Sequence, residues 1–242
     1  MNSTLIDAFG IAIVSIVSIV VVVSTVVKIY RNFQNRKLIK TVTKLHRGTY
    51  SERLLVLQLL KLGFRPTAIF HDLYLINRTE NYCQIDLVLA TDVGILVFEV
   101  KDYSGWIFGT GNQRNWTQIL NYGNSKYYFY NPILQNRKHI TDLKSQLSQF
   151  ENIPFYSIVV FYGNCKFKNV SNIPEDTYLI KSHEIKYVVK GILESKNTTT
   201  YKDKWEIANL LDRAVCNGDN NEIIKKHSTN INELKKRYDV NN

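Results

Sequence analysis

The chain is poor in the residues that build disulfide and zinc frameworks. Its cysteines, Cys83, Cys165 and Cys216, are odd in number and widely spaced, and they lack the paired spacing of a metal site. The five histidines are scattered and form no zinc signature. These absences argue against a disulfide-stabilised secreted domain and against a zinc protein, and they are typical of thiols in a reducing compartment. The sequence also has no internal repeat and no long low-complexity segment.

Acidic residues are almost absent from the first fifty positions. Between Leu5 and Val27 the only ionisable side chain is Asp7, and about twenty apolar residues are enough to cross a bilayer as a helix. A cleavable signal peptide fits poorly, because a basic leading region and a small-residue cleavage pattern are missing. We therefore predict a transmembrane helix over residues 5–27, preceded by a short extracytoplasmic N-terminus at residues 1–4. A buried core helix is the alternative.

Basic residues follow this apolar run without an intervening acid. Seven Lys and Arg side chains lie in the linker at residues 28–47, and the cytoplasmic flanks of membrane helices are enriched in such residues. The pattern predicts a single-pass protein of the cell membrane with a cytoplasmic C-terminal domain. The linker would lie near anionic lipid headgroups. Because residues 48–242 carry 24 basic and 20 acidic side chains, the net charge of +10 is weak evidence for nucleic-acid binding.

Helix and strand patterns alternate through the rest of the chain. The first half predicts a helix over 51–62, a strand over 68–76, a hairpin over 84–101 and a second hairpin over 105–119. The second half predicts a strand ending at Pro132, a helix from that proline and a buried strand over 155–163. A short strand and two helices follow, up to residue 217. This order is typical of an α/β fold with one mixed sheet flanked by helices. The second hairpin is expected to extend the same sheet. We predict a domain at residues 48–165, a C-terminal α/β extension at 166–217 and a polar tail at 218–242.

The hairpin QIDLVLATDVGILVFEVK, residues 84–101, has polar side chains at its open end. If its turn centres after Asp92, the numbers of paired residues sum to 185, so Asp86 lies opposite Glu99 and Gln84 opposite Lys101. Carboxylates at this separation, about 4.5 to 5.5 Å, repel each other. A divalent cation such as Mg²⁺ would compensate that repulsion, since it prefers carboxylate oxygens. A solvated polar end, in which Lys101 pairs with a carboxylate, is the alternative.

Short motifs along the chain resemble one family when they are taken in order. They are Gly48, Ser51-Glu52, Gln84-Ile85-Asp86, Gly94, Glu99-Val100-Lys101, Gly105, Trp116, Asn131-Pro132, Gln135 and His139. Together they resemble the nuclease-related domain, NERD, which is similar to the PD-(D/E)XK nuclease superfamily. The resemblance covers about residues 48–165 and implies a restriction-endonuclease-like fold. Ser51 stands where the family usually has glycine, which is a mild departure.

The resemblance also implies roles for individual residues. Asp86, Glu99 and the carbonyl of Val100 would hold the metal. Lys101 would position or deprotonate the attacking water, and Glu52 would complete the catalytic group. Three further residues are expected to contact the substrate or to organise the site. Gln84 is proposed from the hairpin register and Gln135 from the family pattern. His139 is proposed because it lies one helical turn after Gln135. For His139, a surface position without a role is the alternative.

These observations predict a membrane-anchored nuclease that hydrolyses phosphodiester bonds in nucleic acid, with DNA as the expected substrate. Mg²⁺ is the expected cofactor, and Mn²⁺ a possible substitute. A catalytically inactive, membrane-tethered nucleic-acid-binding or scaffold module is the alternative, and a structural protein of the membrane surface is a third hypothesis. The aromatic residues Trp106, Trp116, Tyr127, Tyr128 and Tyr130 are candidates for stacking on unpaired bases, although strand aromatics usually pack within the sheet.

Overall fold

We describe residues 3–77, 81–120, 123–150, 152–195 and 203–239 of a computed structural model. Residues 1–2 of the predicted N-terminus and 240–242 of the predicted tail lie outside this range. The elements are α1 (Ser3–Ile39), α2 (Tyr50–Lys61), β1 (Ile69–Ile76), β2 (Tyr82–Thr91), β3 (Gly94–Asp102), β4 (Gly105–Thr110), β5 (Asn115–Leu120), β6 (Ser125–Tyr130), α3 (Pro132–Gln146), β7 (Phe155–Tyr162), β8 (Cys165–Ser171), β9 (Thr177–Lys181), α4 (Ile185–Ser195), α5 (Lys204–Asn217) and α6 (Asn221–Asp239).

Helix α1 is long and apolar enough to span a membrane. The candidate span is Ser15–Ile39, and none of its apolar window is buried in the rest of the molecule. The helix runs without interruption past residue 28, where the linker was predicted to begin. Its last turn reaches the domain, because Ile39 is buried and Leu38 packs against the core that contains Leu55 and Leu59 of α2.

The first sheet has five strands in the order β1-β2-β3-β7-β9. Strand β2 is antiparallel to both β1 and β3, whereas β7 pairs in parallel with both β3 and β9. Helices α2 and α4 cover one face, and their leucines, isoleucines and valines form one core with Leu87, Leu96 and Phe98. Helices α3 and α5 cover the other face over Ile85 and Val97. The predicted mixed sheet flanked by helices is confirmed.

Strands β6-β5-β4-β8, in that order, form a second sheet that does not pair with the first. The prediction that the second hairpin extends the first sheet is therefore wrong. The chain turns away at Gly105, which has a φ of +76° and lies so close to the Ile119 carbonyl that a Cβ would collide with it. Strand β4 pairs with β5 and β8, and β8 was not predicted as a strand at all. Its alternating lysines gave no apolar run that would have indicated one.

The register of the β2–β3 hairpin agrees with the prediction. Leu87 pairs with Phe98 and Thr91 with Gly94, so the paired numbers sum to 185. The predicted alternation of faces, however, is wrong, because Ile85 and Leu87 lie in different cores. The break lies beside Asp72 of β1, whose φ of +57° is left-handed. Asp72 falls between two regular β1–β2 pairs, so it interrupts the alternation at the position of Asp86.

Candidate active site

Strand β3 presents Glu99 and Lys101 to helix α3. The Lys101 Nζ atom lies 2.6 Å from Glu99 Oε1 and donates a hydrogen bond of 3.1 Å to Gln135 Oε1. His139 Nε2 lies 3.3 Å from Glu99 Oε2. Helix α3 begins at Pro132 with Asn131 as its N-cap, as predicted, and this start places Gln135 and His139 one turn apart on the same face.

His139 is buried on Glu99 rather than exposed on the surface. Of the two alternatives for this histidine, the structure therefore favours the one that faces the site. Glu99 itself is 1% exposed, and its two carboxylate oxygens each have one nitrogen neighbour among the described residues, Lys101 Nζ at Oε1 and His139 Nε2 at Oε2. Because a carboxylate offers about four acceptor positions, this buried group keeps unused bonding capacity.

Asp86 lies where β2 and β3 separate. The last regular pair before the open end is Leu87 with Phe98, and the Val100 N–H donates 2.8 Å to Asp86 Oδ2. Because the N–H and C=O of one strand residue point to the same side of the strand, the Val100 carbonyl also points towards this opening. Asp86 remains partly accessible, so the opening has a route to solvent.

Glu52 reaches the same region from the start of α2. It lies three residues after the N-cap Thr49, and the two residues bond reciprocally: Glu52 N–H donates to the Thr49 hydroxyl, which donates to Glu52 Oε1 at 2.7 Å. His71 Nε2 of β1 lies 3.4 Å from Glu52 Oε2. Gly48 is packed against both, because a Cβ there would collide with the Glu52 carboxylate and with the His71 ring.

The pKa values of the two central carboxylates shift in opposite directions. Burial, followed by the charges of Glu99 and Glu52, raises the pKa of Asp86 well above its usual value. Burial would also raise the pKa of Glu99, but the Lys101 ammonium and His139 lower it overall. Two neighbouring carboxyl groups with divergent pKa values are typical of catalytic sites.

Glu52 and Lys101 are both held in their charged forms. Burial opposes the charge of Glu52, but bonding to His71 and Thr49 lowers its pKa overall. Burial likewise opposes the charge of Lys101, but Glu99 and Asp86 raise its pKa. Three carboxyl groups therefore influence one another near one lysine, and the raised pKa of Asp86 shows that all three ionise together only when a further cation is present.

Gln84 takes a different position from the one predicted opposite Lys101. Its amide donates 2.7 Å to Asp72 Oδ1, and Asp72 Oδ2 accepts 3.0 Å from the buried Arg47. Arg47 was predicted to lie in the lipid-facing linker, but it is 6% exposed and also donates to the Val215 carbonyl of α5. Gln84 and Arg47 thus form a network behind the site that ties β1 and β2 to the C-terminal helices.

Sequence reasoning missed His71 as a member of the site. Its Nδ1 lies 2.9 Å from the Thr43 hydroxyl and its Nε2 faces Glu52, so it orients that carboxylate. A histidine inside an otherwise apolar strand, IFHDLYLI, was the available signal. Ser51, the departure from the family pattern, donates to the Asp102 carboxylate at the end of β3, so it connects α2 to the strand that carries Glu99.

The donors at the opening fit a hard divalent cation held in part by the protein. Among the described residues, no three His, Cys, Asp or Glu side chains form a metal cluster by themselves. Asp86 and Glu99 supply carboxylate oxygens, Glu99 has unused bonding capacity, and the Val100 carbonyl points the same way. Mg²⁺ in phosphoryl-transfer sites commonly binds one or two carboxylates and fills its other positions with water and phosphate oxygens. The residues present therefore fit such an ion.

Comparison with known proteins agrees with the motifs. The family model of the nuclease-related domain, NERD, matches residues 47–162, which confirms the predicted resemblance. A relative from Bacillus anthracis, described as an uncharacterized protein, is 26% identical over 164 residues, which is 66% of this chain and 76% of that protein. No solved structure matches the chain.

Proposed function

Starting from a nuclease-related domain at residues 47–162, we propose that the protein is a metal-dependent nuclease that hydrolyses phosphodiester bonds of nucleic acid, with DNA as the expected substrate. The observation that carries this proposal is that Asp86 lies beside Glu99 and Lys101 and close enough to Glu52 for both glutamates to raise its pKa, while each oxygen of the buried Glu99 has only one nitrogen neighbour among the described residues. Buried carboxylates that ionise together are costly unless a further cation balances their charge.

Asp86, Glu99 and the Val100 carbonyl would hold the cation, with Mg²⁺ as the expected ion and Mn²⁺ as a substitute. When bound, a divalent cation supplies Lewis-acid activation of phosphate and of water. His139 keeps the Glu99 carboxylate in place from the opposite side. Glu52, oriented by His71 and Thr49, lies close enough to Asp86 for its charge to raise the pKa of that residue. It would order a water molecule at the edge of the site.

Lys101 supplies a fixed positive charge for the scissile phosphate. Its ammonium is anchored between Glu99 and Gln135, and the neighbouring carboxylates favour its protonated form. We therefore assign it to charge stabilisation, because a lysine in this environment is a poor acceptor of the proton from water. Gln135 accepts from Lys101 through its oxygen, which leaves its amide nitrogen to donate to a phosphate oxygen.

We further propose that α1 anchors the protein in the cell membrane with the domain on the cytoplasmic side. The length and composition of Ser15–Ile39 support the anchor, and the acid-free basic residues that follow the apolar run support the orientation. The charges that remain exposed in this stretch, such as Lys44, would lie near anionic headgroups, whereas the buried Arg47 would not.

A metal-dependent cleavage panel tests the proposal. The full chain in detergent is incubated with single- and double-stranded DNA and RNA, in Mg²⁺, in Mn²⁺ and in EDTA. Cleavage is expected with either metal and absent in EDTA, and Glu99→Gln should abolish it. Glu222→Gln, which changes an exposed glutamate of α6, is the matched control and should cleave like the wild type.

The alternative function makes a different prediction in the same panel. If the protein binds nucleic acid but cuts none of the four substrates with either metal, the domain is a tethered binding or scaffold module and the nuclease proposal is wrong. Orientation is tested separately in intact cells, where external protease should leave the C-terminal domain whole.

A further inference from the structure

The second sheet has one buried face and one open face. Trp116, Ile107 and Cys165 are buried on the inner face against Phe161 of β7. Because side chains alternate along a strand, the neighbours of these residues lie on the opposite, outer face. The register confirms the arrangement, since Lys126, Ile119, Trp106 and Lys166 form one row across all four strands.

The outer face is cationic and aromatic. Tyr128 is 67% exposed and Tyr130 is 44% exposed, and both share their face of β6 with Lys126. The Lys126 Nζ atom lies 5.0 Å from the centre of the Tyr128 ring, and the Lys168 Nζ atom lies 5.1 Å from the centre of the Trp106 ring. Each of these rings therefore has an ammonium group within reach.

Negative charge is missing from this sheet altogether. None of the four strands, GWIFGT, NWTQIL, SKYYFY and CKFKNVS, contains Asp or Glu. Surface strands normally mix both signs of charge. A face with lysines at both edges, aromatic rings between them and no acid is complementary to a flexible polyanion that carries flat rings.

From this arrangement we infer that the outer face binds single-stranded nucleic acid, with unpaired bases on Tyr128 and Trp106 and phosphates on Lys126, Lys166 and Lys168. The inference deepens the proposed nuclease function and rests on it, since it names the form of the substrate. Four strands spaced about 4.8 Å apart give a platform roughly 14 Å wide. Four-stranded sheets of similar width stack two or three bases in RNA-binding domains.

The platform is connected to the candidate active site through the chain. Strands β4 and β8 directly follow β3 and β7, and Tyr103, two residues after Lys101, packs its ring 4.6 Å from Phe129 of β6. An anionic membrane surface is the competing partner for lysines and aromatic residues. Nucleic acid fits better, because membrane-docking faces bury a continuous apolar surface, whereas the most exposed large side chains of this outer face are the tyrosines Tyr128 and Tyr130.

Binding of oligonucleotides to the full chain in neutral detergent and EDTA tests the inference without cleavage. The probe is a fluorescent 12-nucleotide single strand, measured by anisotropy. Tyr128→Ala should weaken binding at least about fivefold, since one base stack is worth about that much or more. Tyr187→Ala, which removes an 83% exposed tyrosine from α4, is the control and should bind normally.

The lysines are tested by salt dependence. The double variant Lys126→Ala, Lys166→Ala should reduce the slope of log affinity against log salt by about 1.4, because each phosphate that a lysine neutralises on a single strand accounts for about 0.7 of that slope. The matched control is Lys186→Ala with Lys190→Ala, two exposed lysines beside Tyr187 on α4, and it should keep the wild-type slope. A duplex of the same sequence should bind more weakly and be insensitive to Tyr128→Ala.

Three results would overturn the inference. The first is unchanged single-strand affinity in Tyr128→Ala, and the second is equal sensitivity of duplex and single strand to that change. The third is hydrogen-exchange protection of β6 in phosphatidylserine nanodiscs, relative to phosphatidylcholine ones, without protection by the oligonucleotide. Failure of the nuclease proposal looks different, because a protein that binds through this face and never cleaves would support the inference while refuting catalysis.

Discussion

The two sheets differ in their content of acidic residues and in how deeply their charged residues are buried. The first sheet contains four acidic residues, among them Asp86 and Glu99, and its central carboxylate, Glu99, is almost fully buried beside His139 of α3. The second sheet has no acidic residue and leaves its lysines and tyrosines open. Buried charges interact strongly and shift each other's pKa, whereas exposed charges are screened and mainly attract counter-charge. The contrast separates a region suited to chemistry from one suited to binding.

The largest expected effect separates these roles kinetically. Glu99→Gln should lower kcat on the order of a thousandfold, because it removes the buried charge around which Lys101 and His139 are arranged. Tyr128→Ala should instead raise KM for single-stranded substrate and leave kcat within about twofold. Steady-state cleavage kinetics measure both. A large fall in kcat for Tyr128→Ala would break the division between the two sheets.

The inner face of the second sheet should matter for folding in a way that its outer face does not. Trp116 is fully buried, stacks at 6.2 Å on Phe161 and donates 2.9 Å to the Thr110 carbonyl. Trp116→Ala should therefore lower the free energy of unfolding by about 3–5 kcal/mol. Tyr130→Ala, on the exposed face, should change it by less than about 0.5 kcal/mol. Urea denaturation followed by circular dichroism measures both, and equal costs would contradict the assignment of faces.

A divalent cation should stabilise the first sheet selectively. At a Mg²⁺ concentration of about 100 times its Kd, the gain in folding free energy is about 2.7 kcal/mol. Thermal unfolding of the full chain with Mg²⁺ and with EDTA should show this gain in the wild type and in Glu222→Gln. Asp86→Asn and Glu99→Gln should lose it. A Mg²⁺ shift that persists in both site variants would place the ion elsewhere.

The smallest expected effect concerns the free energy of unfolding in the absence of metal. Substitutions of Asp86 and of Glu99 should change it in opposite directions. Because the pKa of Asp86 is raised in the folded protein, its contribution to stability is greatest below the ordinary Asp pKa and is lost as pH rises through the shifted value. In EDTA at pH 8, Asp86→Asn should thus stabilise the fold by on the order of 1 kcal/mol.

Glu99→Gln should do the opposite under the same conditions. The pKa of Glu99 is lowered, so its contribution is present above the ordinary Glu pKa and is lost as pH falls through the shifted value. Urea titrations at pH 5 and pH 8 should show the gain of Asp86→Asn growing with pH. The same sign for both variants at pH 8 would mean that the two carboxylates do not have divergent environments.

Local patterns in the sequence were enough to predict much of this protein. The apolar run of α1, the hairpin register that sums to 185 and the start of α3 at Asn131-Pro132 all depend on near neighbours or on short turns. For the same reason the approach of Asp86 to Glu99 was predictable, since both lie on one hairpin. The family model matches residues 47–162, the segment that contains the motifs from Gly48 to His139.

Only the tertiary structure decided which distant residues meet. Periodicity cannot show that the chain leaves the first sheet at Gly105, that Asp72 breaks the alternation beside Asp86, or that His71 orients Glu52, because each depends on contacts between separate elements. Arg47 was predicted to lie in the linker, but its buried ion pair with Asp72 places it in the domain. The acid-free composition of the second sheet was present in the sequence, but strand pairing alone placed Lys126 and Lys166 on one face with Tyr128 and Tyr130.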